Sequence, residues 1–312
     1  MKKPRIVFMG TPAFAVPSLK ILLDNEYEIA GVVTAPDKPA GRGMKTSESD
    51  VKKFARSRNL KIFAPEKLKS PEFIGELKSL NADLQIVVAF RMLPEIVWNM
   101  PPMGTINLHA SLLPQYRGAA PINWAIINGE KKTGVTTFKL QHEIDTGNIL
   151  MQQEITIDDD ETAGELHDEM MEKGADLLLK TINELVSGNL KEVDQHSTFN
   201  IQHPTFPLHH APKISTETCR IDWNKSATEV YNLIRGLSPY PTAFTFLKEK
   251  KIKIFKAEKE KTEVIEMTGE IISDNKTFLK FACNDGYISV KELQLEGKKK
   301  MEIKDFLRGW RD

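Results

Sequence analysis

A chain of 312 residues with 40% hydrophobic content holds enough apolar material for a large core, and its length favours two domains over one. Lys+Arg 43 against Asp+Glu 43 leaves no net charge, which excludes a global basic field as the means of holding nucleic acid or a membrane surface, so any such partner must be held by a local patch. The two cysteines, Cys219 and Cys283, lack metal-ligand spacing and are expected as reduced thiols. The apolar run in MKKPRIVFMG is too short for a signal peptide and no later run reaches membrane-spanning length, so a cytoplasmic protein with no membrane contact is expected.

In chain order, Arg5–Met9 (RIVFM) is a short apolar run closed by Gly10, Thr11 and Pro12 and followed by the helix-period positions Phe14, Leu19, Leu22 and Leu23. This predicts strand, turn and helix, with Thr11 as N-cap and Pro12 in the first helical turn. A second strand is predicted at Glu28–Val33 and a buried one at Leu84–Phe90 (LQIVVAF), with crossover helices around Val51–Ser57 and Pro71–Leu80. GTINLHA (Gly104–Ala110) reads as another strand and Pro121–Asn128 as a helix. Gly134–Leu140 and Ile149–Ile157 read as a hairpin, and Thr162–Ser187 as a long amphipathic helix. Residues 1–189 are therefore expected to form one α/β domain.

Asn189–Pro212 is polar, holds three prolines and has no sustained period, so residues 190–210 are read as a linker. Residues 211–312 open with a predicted helix at Lys225–Arg235 and continue as short strands broken by turn signals, a pattern that fits a small β-barrel. This segment carries 20 Lys+Arg against 16 Asp+Glu, a net +4, so the basic excess lies there.

Asn107 and His109 stand two apart on a predicted strand and so face the same side, offering an amide and an imidazole to one point. A lone polar residue in an apolar strand is commonly a satisfied core group. Here the SLLP stretch follows at once, where strand ends of open α/β sheets bind ligands. Asp145, in the turn of HEIDTGNIL, is either a turn former or a site residue. An aspartic-protease reading fails because no second D-T/S-G is present to share a proton. An Asp beside an imidazole would orient it and favour its protonated form, giving the three residues a joint purpose. GTPAF lacks the dinucleotide fingerprint, and GRGMKTS misses the phosphate loop because Met44 separates Gly43 from Lys45. The loop APDKPAGRGMKTSESD is long and basic at Lys38, Arg42 and Lys45, which as residue types describe a surface loop. His196, His203, His209 and His210 match no metal-ligand spacing, so no metal is expected.

HASLLPQYRGAAPINWAI, with Asn107 ahead of it and DTGNIL behind it, resembles the signature of the 10-formyltetrahydrofolate-dependent formyltransferases. The similarity extends to KPRIVFMGTPAFAVPSL, to the APDKPAGRG loop and to RIDWNKSATEVYNLIRGLSPYPTAF. The last two point to the transfer-RNA branch. The resemblance implies a Rossmann-like formyltransferase domain followed by a small OB-like β-barrel domain. It further implies 10-formyltetrahydrofolate as formyl donor, initiator methionyl-tRNA as acceptor, no metal, and a monomer. The pterin is expected near Ser111, Leu112, Leu113 and Pro114 and near the strand end at Val88, Phe90 and Arg91, where Phe90-Arg91 replaces the family's Tyr-Gly. Asn107 and His109 would donate hydrogen bonds to the formyl oxygen as charge builds on it. Asp145 would orient His109 and accept the amine proton. For the RNA, local charge points to Arg42 and Lys45 in the first domain and to Lys248, Lys250 and Lys251 in the second. The rival readings are a formyltransferase acting on a small amine, against which the added basic domain argues, and an RNA-binding protein without catalysis, against which the intact Asn107, His109 and Asp145 argue.

Overall fold

The computed structural model describes residues 2–40, 45–195 and 207–310, with side chains throughout except at 38–40 and 45–46. The chain packs as two compact units. The first is built from Met1–Arg117, Gly134–Ile155 and Asp168–His210, the second from Gly118–Thr133, Thr156–His167 and Ala211–Asp312.

In the first unit the strands are β1 (Ile6–Gly10), β2 (Ile29–Val33), β3 (Lys38–Ala40), β4 (Lys45–Ser47), β5 (Ile62–Phe63), β6 (Leu84–Val88), β7 (Thr105–His109) and β8 (Arg117–Gly118), the last ending at the unit boundary. β9 (Lys132–Lys139) and β10 (Ile149–Thr156) follow. A seven-stranded sheet runs in the order β10-β9-β7-β6-β1-β2-β5, parallel from β5 through β7, with β9 antiparallel to β7. β1 and β6 are buried at every position, which is why both read as unbroken apolar runs. The predicted Leu84–Phe90 strand stops at Val88, because Ala89 takes φ +46 and turns the chain out of the sheet.

The helices are α1 (Val16–Asp24), α2 (Asp50–Ser57), α3 (Pro71–Ser79), α4 (Glu95–Trp98), α5 (Pro121–Ile127) and α6 (Ala163–Ser187). Thr11 is not the cap of α1. A 3-10 turn over Ala13–Ala15 intervenes, with Pro12 at its N-cap position and no side-chain cap, as is frequent at the start of an α-helix. α2 and α3 are capped by Ser49 and Ser70, whose hydroxyls accept from the third backbone N–H.

α6 covers β7. A Cβ on Gly174 would stand 2.9 Å from Leu108 Cδ2, so glycine lets the helix settle on the strand. Leu108 is 3% exposed, and because strand side chains alternate, its burial against α6 turns Asn107 and His109 to the opposite face.

The second unit carries β11 (His210–Ala211, at the boundary), α7 (Ala227–Gly236), β12 (Ala243–Leu247), β13 (Lys250–Lys261), β14 (Ile271–Ser273), β15 (Leu279–Cys283), β16 (Gly286–Leu295), β17 (Met301–Glu302) and α8 (Ile303–Gly309). Its six-stranded sheet has the order β12-β13-β16-β15-β14, with β17 on β16. α7 starts at Ala227 rather than Lys225 because Ser226 and Glu229 form a reciprocal capping box. Its Ala227, Val230 and Ile234 join Ile252, Ile254, Phe281, Ile288, Val290 and Leu293 in one core, where Trp223 stacks on Phe281 at 4.4 Å. Both cysteines are free and buried in this core, and burial pushes the Cys283 thiol up to about 12.

Two segments that precede the expected linker pack with this second unit. α5 meets α7 through Asn123 Nδ2, which donates to the Gly236 carbonyl at 2.7 Å, and Arg235 donates to the carbonyls of Asp158 and Glu161 at 3.3 and 3.0 Å. These pairings join residues far apart in the chain, so no local pattern announces them.

Gly174→Leu should overpack the contact between α6 and β7 and destabilise the chain by about 1–3 kcal/mol. Denaturant unfolding measures this, and an unchanged midpoint would show that the glycine is not needed there.

Candidate active site

The strand order reverses at β1. The chain moves one way through β2 and β5, then returns to place β6 and β7 on the other side. Ligands of open α/β sheets bind beyond the carboxyl ends of the strands at such a switch point. Those ends are aligned here, with Gly10 of β1 opposite Val88 of β6 and Val88 opposite Leu108 of β7. The segments leaving them include Phe90 and Arg91, and Ser111 to Pro114.

His109 is 7% exposed and its ring meets the edge of Phe138 at 6.5 Å. Its Nε2 lies 3.0 Å from the Tyr116 carbonyl. A carbonyl only accepts, so this contact places the proton on Nε2 and leaves Nδ1 as the nitrogen on the Asp145 side. Nδ1 is 4.0 Å from Asp145 Oδ2, which is ion-pair range and longer than a hydrogen bond. The sequence assigns the orienting of His109 to Asp145; the structure places the Asp145 carboxylate on the Nδ1 side of the ring and adds the Tyr116 carbonyl on the Nε2 side. Asn107 is half-buried on the same face. Among the described residues its carboxamide has no side-chain hydrogen-bond partner, which leaves its N–H groups for something other than the fold.

Asp145 sits in the loop between β9 and β10 with φ +55, a left-handed conformation that Asp tolerates better than most residues. The Asp-Thr-Gly sequence has a steric reason in Gly147. A Cβ there would fall 1.7 Å from the Lys139 carbonyl oxygen, so only glycine lets the loop close against the end of β9.

The SLLP segment is held from beneath. The Thr136 hydroxyl donates to the Ser111 carbonyl at 2.6 Å and accepts from Leu113 N–H at 3.1 Å and from Gln152 Nε2 at 2.9 Å, while Gln152 also donates to the Leu113 carbonyl at 2.9 Å. That uses the full capacity of a hydroxyl. Ser111 Oγ donates to the Gln115 carbonyl at 2.6 Å, and Leu113 clusters with Phe138 and Ile149. Pro114 is buried and Leu112 half-buried. The side chains of Ser111, Leu113 and Pro114 therefore shape the loop from within.

Val88 is fully buried and Phe90 packs partly on the core below it. Arg91 faces neither Asn107 nor His109 through any described hydrogen bond. Its guanidinium lies 5.7 Å from the Phe90 ring centre and donates to the carbonyls of Glu66, at 2.8 Å, and Pro65, and burial lowers its pKa. Arg91 thus ties the loop after β6 to the segment after β5. α4 is tied in turn to the approach to Asp145, since Trp98 meets the His142 ring edge-on at 5.6 Å and His142 Nε2 is 3.3 Å from Glu95. Met92, Ile96 and Ile144 on these connected segments are 74%, 58% and 60% exposed.

Arg42 lies outside the described residues, as do His196 and His203. Lys45 opens β4, which pairs antiparallel with β3. Lys250 and Lys251 lie at the start of β13, and Lys248, in the turn before it, has its Nζ 5.9 Å from the Trp310 ring. Sequence reasoning missed Thr136, Gln152, Arg117 and Gln195, which hold the loops. The one available signal was Thr136-Thr137, a polar pair interrupting an apolar strand.

A family model described as formyl transferase matches residues 4–182, and one for the formyl transferase C-terminal domain matches residues 213–311. The class of the protein is therefore that of the formyl transferases. The methionyl-tRNA formyltransferase of Phocaeicola vulgatus is 54% identical over 316 residues, covering 99% of this chain and 97% of the relative. That of Azobacteroides pseudotrichonymphae is 51% identical over 314 residues, 98% and 96% of the two chains. The chain belongs to the methionyl-tRNA formyltransferase family. Among solved structures, the sugar 3N-formyl transferase WlaRD, crystallised with dTDP and 5-N-formyl-THF, aligns with a TM-score of 0.67 at 22% identity, over 96% of this chain and all of that one. HypX from Aquifex aeolicus in complex with tetrahydrofolic acid aligns at 0.64 and 19% identity, over 100% of this chain and 50% of that one. At these identities they show the shared fold.

Gly147→Ala should open the Asp145 loop and cost about 2 kcal/mol or more, as expected where a backbone approach is blocked. Thermal unfolding and the near-ultraviolet spectrum test this; wild-type stability would mean that the Lys139 carbonyl can retreat.

Proposed function

We propose that this enzyme transfers the formyl group of 10-formyltetrahydrofolate to the α-amine of initiator methionyl-tRNA, in the cytoplasm, with Asn107, His109 and Asp145 as its catalytic residues. The observation that carries the site reading is the half-buried Asn107 carboxamide, without a side-chain partner among the described residues, on the same strand face as a buried histidine whose Nδ1 side borders Asp145. The folate reading is supported by the carboxyl end of β7 lying in line with those of β6 and β1, the strand at which the order reverses, and by the exposed apolar side chains Met92, Ile96 and Ile144 on segments tied to one another, which suit a flat heteroaromatic ring better than water. The SLLP loop and Phe90 would border that ring through the shape of their segments, and Arg91 would fix the loop's position.

When bound, the folate supplies an activated formyl carbon whose oxygen gains negative charge as the amine attacks. The Asn107 amide N–H then lowers the barrier by donating to that oxygen, at about 2.7–4 kcal/mol for a donor of this kind. His109, anchored through Nε2, presents Nδ1–H from the same face when doubly protonated. The Asp145 carboxylate, across the 4.0 Å gap, would accept the proton leaving the amine and return it to the folate nitrogen as the bond between that nitrogen and the formyl carbon breaks.

For the RNA, the outer face of β12 and β13 is the favoured surface of the second unit. A register irregularity between Ile254 and Ala257 keeps Ile252, Ile254 and Ala257 all buried. Lys251 and Lys253, which alternate with the buried Ile252 and Ile254, lie opposite Phe246 and Phe244 of β12, of which Phe244 is buried and Phe246 exposed. Lys251 Nζ lies 3.6 Å from the Phe244 ring centre, and the Arg220 guanidinium 6.0 Å from that of Phe246, which is 47% exposed. Interleaved cations and aromatics of this kind bind single-stranded ends by stacking and charge. Lys248 and Lys250 adjoin this surface, and Arg42 and Lys45 in the first unit would contact the acceptor stem.

Asn107→Ala and His109→Ala should each lower kcat about a hundredfold or more with little loss of stability, and Asp145→Asn nearly as far. The assay offers methionyl-tRNA, glycinamide ribonucleotide and a nucleotide-linked amino sugar with 10-formyltetrahydrofolate. Formylation of a small amine in preference to methionyl-tRNA would overturn the substrate reading, and undiminished turnover in a variant would remove that residue from the mechanism. Phe246→Ala should weaken methionyl-tRNA binding by about 1–3 kcal/mol, and Lys251→Ala should reduce the slope of log K against log salt by about one. Binding titrations at several salt concentrations test both, and unchanged affinity in both would move the RNA to another surface.

A further inference from the structure

We infer that Gln195 is a positioning residue for the reaction assigned above, holding the Asp145 loop against the segment that anchors His109. The inference rests on that functional reading. Gln195 lies outside the residues matched by either formyl transferase model, in the stretch that the sequence presents as linker.

Its side chain is fully buried, and its carboxamide is used to capacity. Nε2 donates to the carbonyls of Asp145, at 3.0 Å, and Gly147, at 2.6 Å. Oε1 accepts from Arg117 Nε at 3.1 Å and Nη2 at 2.6 Å. Two amide hydrogens meet two carbonyls and two lone pairs meet two guanidinium N–H groups, which is the whole inventory of a glutamine. The partners lie on the two segments that must be in register. Arg117 follows Tyr116, whose carbonyl fixes the His109 ring, and the two carbonyls bracket the loop that presents the Asp145 carboxylate.

The loop needs an outside hold. Asp145 takes a left-handed conformation, Gly147 is pressed against the Lys139 carbonyl, and the carbonyls of both accept from Gln195. The segment bearing Gln195 is itself fastened along its length. Glu192 pairs with Lys139 and accepts from Asn148 Nδ2 at 3.0 Å, and Val193 exchanges backbone hydrogen bonds with Ile149 at 2.8 and 2.9 Å. Although burial opposes ionisation of Glu192, the bonds from Lys139 and Asn148 hold its carboxyl below the usual range. Burial lowers the pKa of Arg117, and the Asp145 and Glu143 carboxylates oppose that shift. A buried, fully satisfied amide joining two loops transmits position because leaving any of its partners unmatched is costly.

The test uses Gln195→Met, which preserves volume and removes all four bonds, and Gln195→Glu, which keeps the acceptors for Arg117 and removes both donors. In the full chain each should lower kcat about tenfold or more with KM for both substrates within about twofold. In an Asp145→Ala background, single-turnover measurements should find that Gln195→Met lowers the rate by less than about twofold further, because the two changes act through one element. A kcat within twofold of wild type in both variants, or an equal loss with and without Asp145, would overturn the proposal. Hydrogen exchange over residues 143–148 reads the loop without activity: Gln195→Met should raise it about tenfold, and unchanged exchange would overturn the proposal too. If the wild-type chain fails to formylate methionyl-tRNA while exchange in Gln195→Met rises as expected, the functional reading has failed and the hold on the loop stands.

Discussion

The alternation of side chains along β7 is the constraint on which the candidate site depends. Leu108 is buried against α6, and the approach is close enough that position 174 must be small. With Leu108 committed to that side, Asn107 and His109 have only the other, toward the carboxyl end of β7, two strands from β1, where the strand order reverses. The polar pair is thus placed by an apolar contact on the far face of the sheet, and the sheet's core and its chemistry share one strand.

Backbone carbonyls hold the rest in place. The Tyr116 carbonyl sets His109, those of Ser111 and Leu113 are taken by Thr136 and Gln152, and those of Asp145 and Gly147 by Gln195. Loops at a strand end cannot satisfy their carbonyls within a ladder, and a buried orphan costs about 1–3 kcal/mol. Interior hydroxyls and carboxamides meet that need, so each polar side chain under the site fixes one loop in one conformation.

The second unit applies a related device to its surface. β13 carries lysines between buried residues, and an irregularity in its register near Phe255 keeps the apolar positions facing inward. Lys251 and Lys253, ahead of that irregularity, alternate with the buried Ile252 and Ile254 and so stand opposite Phe246 and Phe244. A chain of zero net charge gains a local cationic face in this way.

The sequence by itself determined the elements whose pattern is local. The apolar runs became β1 and β6, the period of Thr162–Ser187 became α6, and the spacing of Asn107 and His109 placed them on one strand face, because strand and helix periods fix side-chain direction from neighbour to neighbour. It also carried the family, through segments spread over nearly the whole chain. Only the tertiary structure decided that the Tyr116 carbonyl meets His109, that Arg91 ties two loops, that Gly118–Thr133 and Thr156–His167 pack with the second unit, and that a glutamine from the expected linker braces the Asp145 loop. Each of these is a hydrogen bond or packing contact that no local period sets, from seven positions apart for His109 and Tyr116 to tens of positions for the others. Such contacts exist only once the chain has closed on itself, and a glutamine that meets four partners looks no different in the sequence from one that meets water.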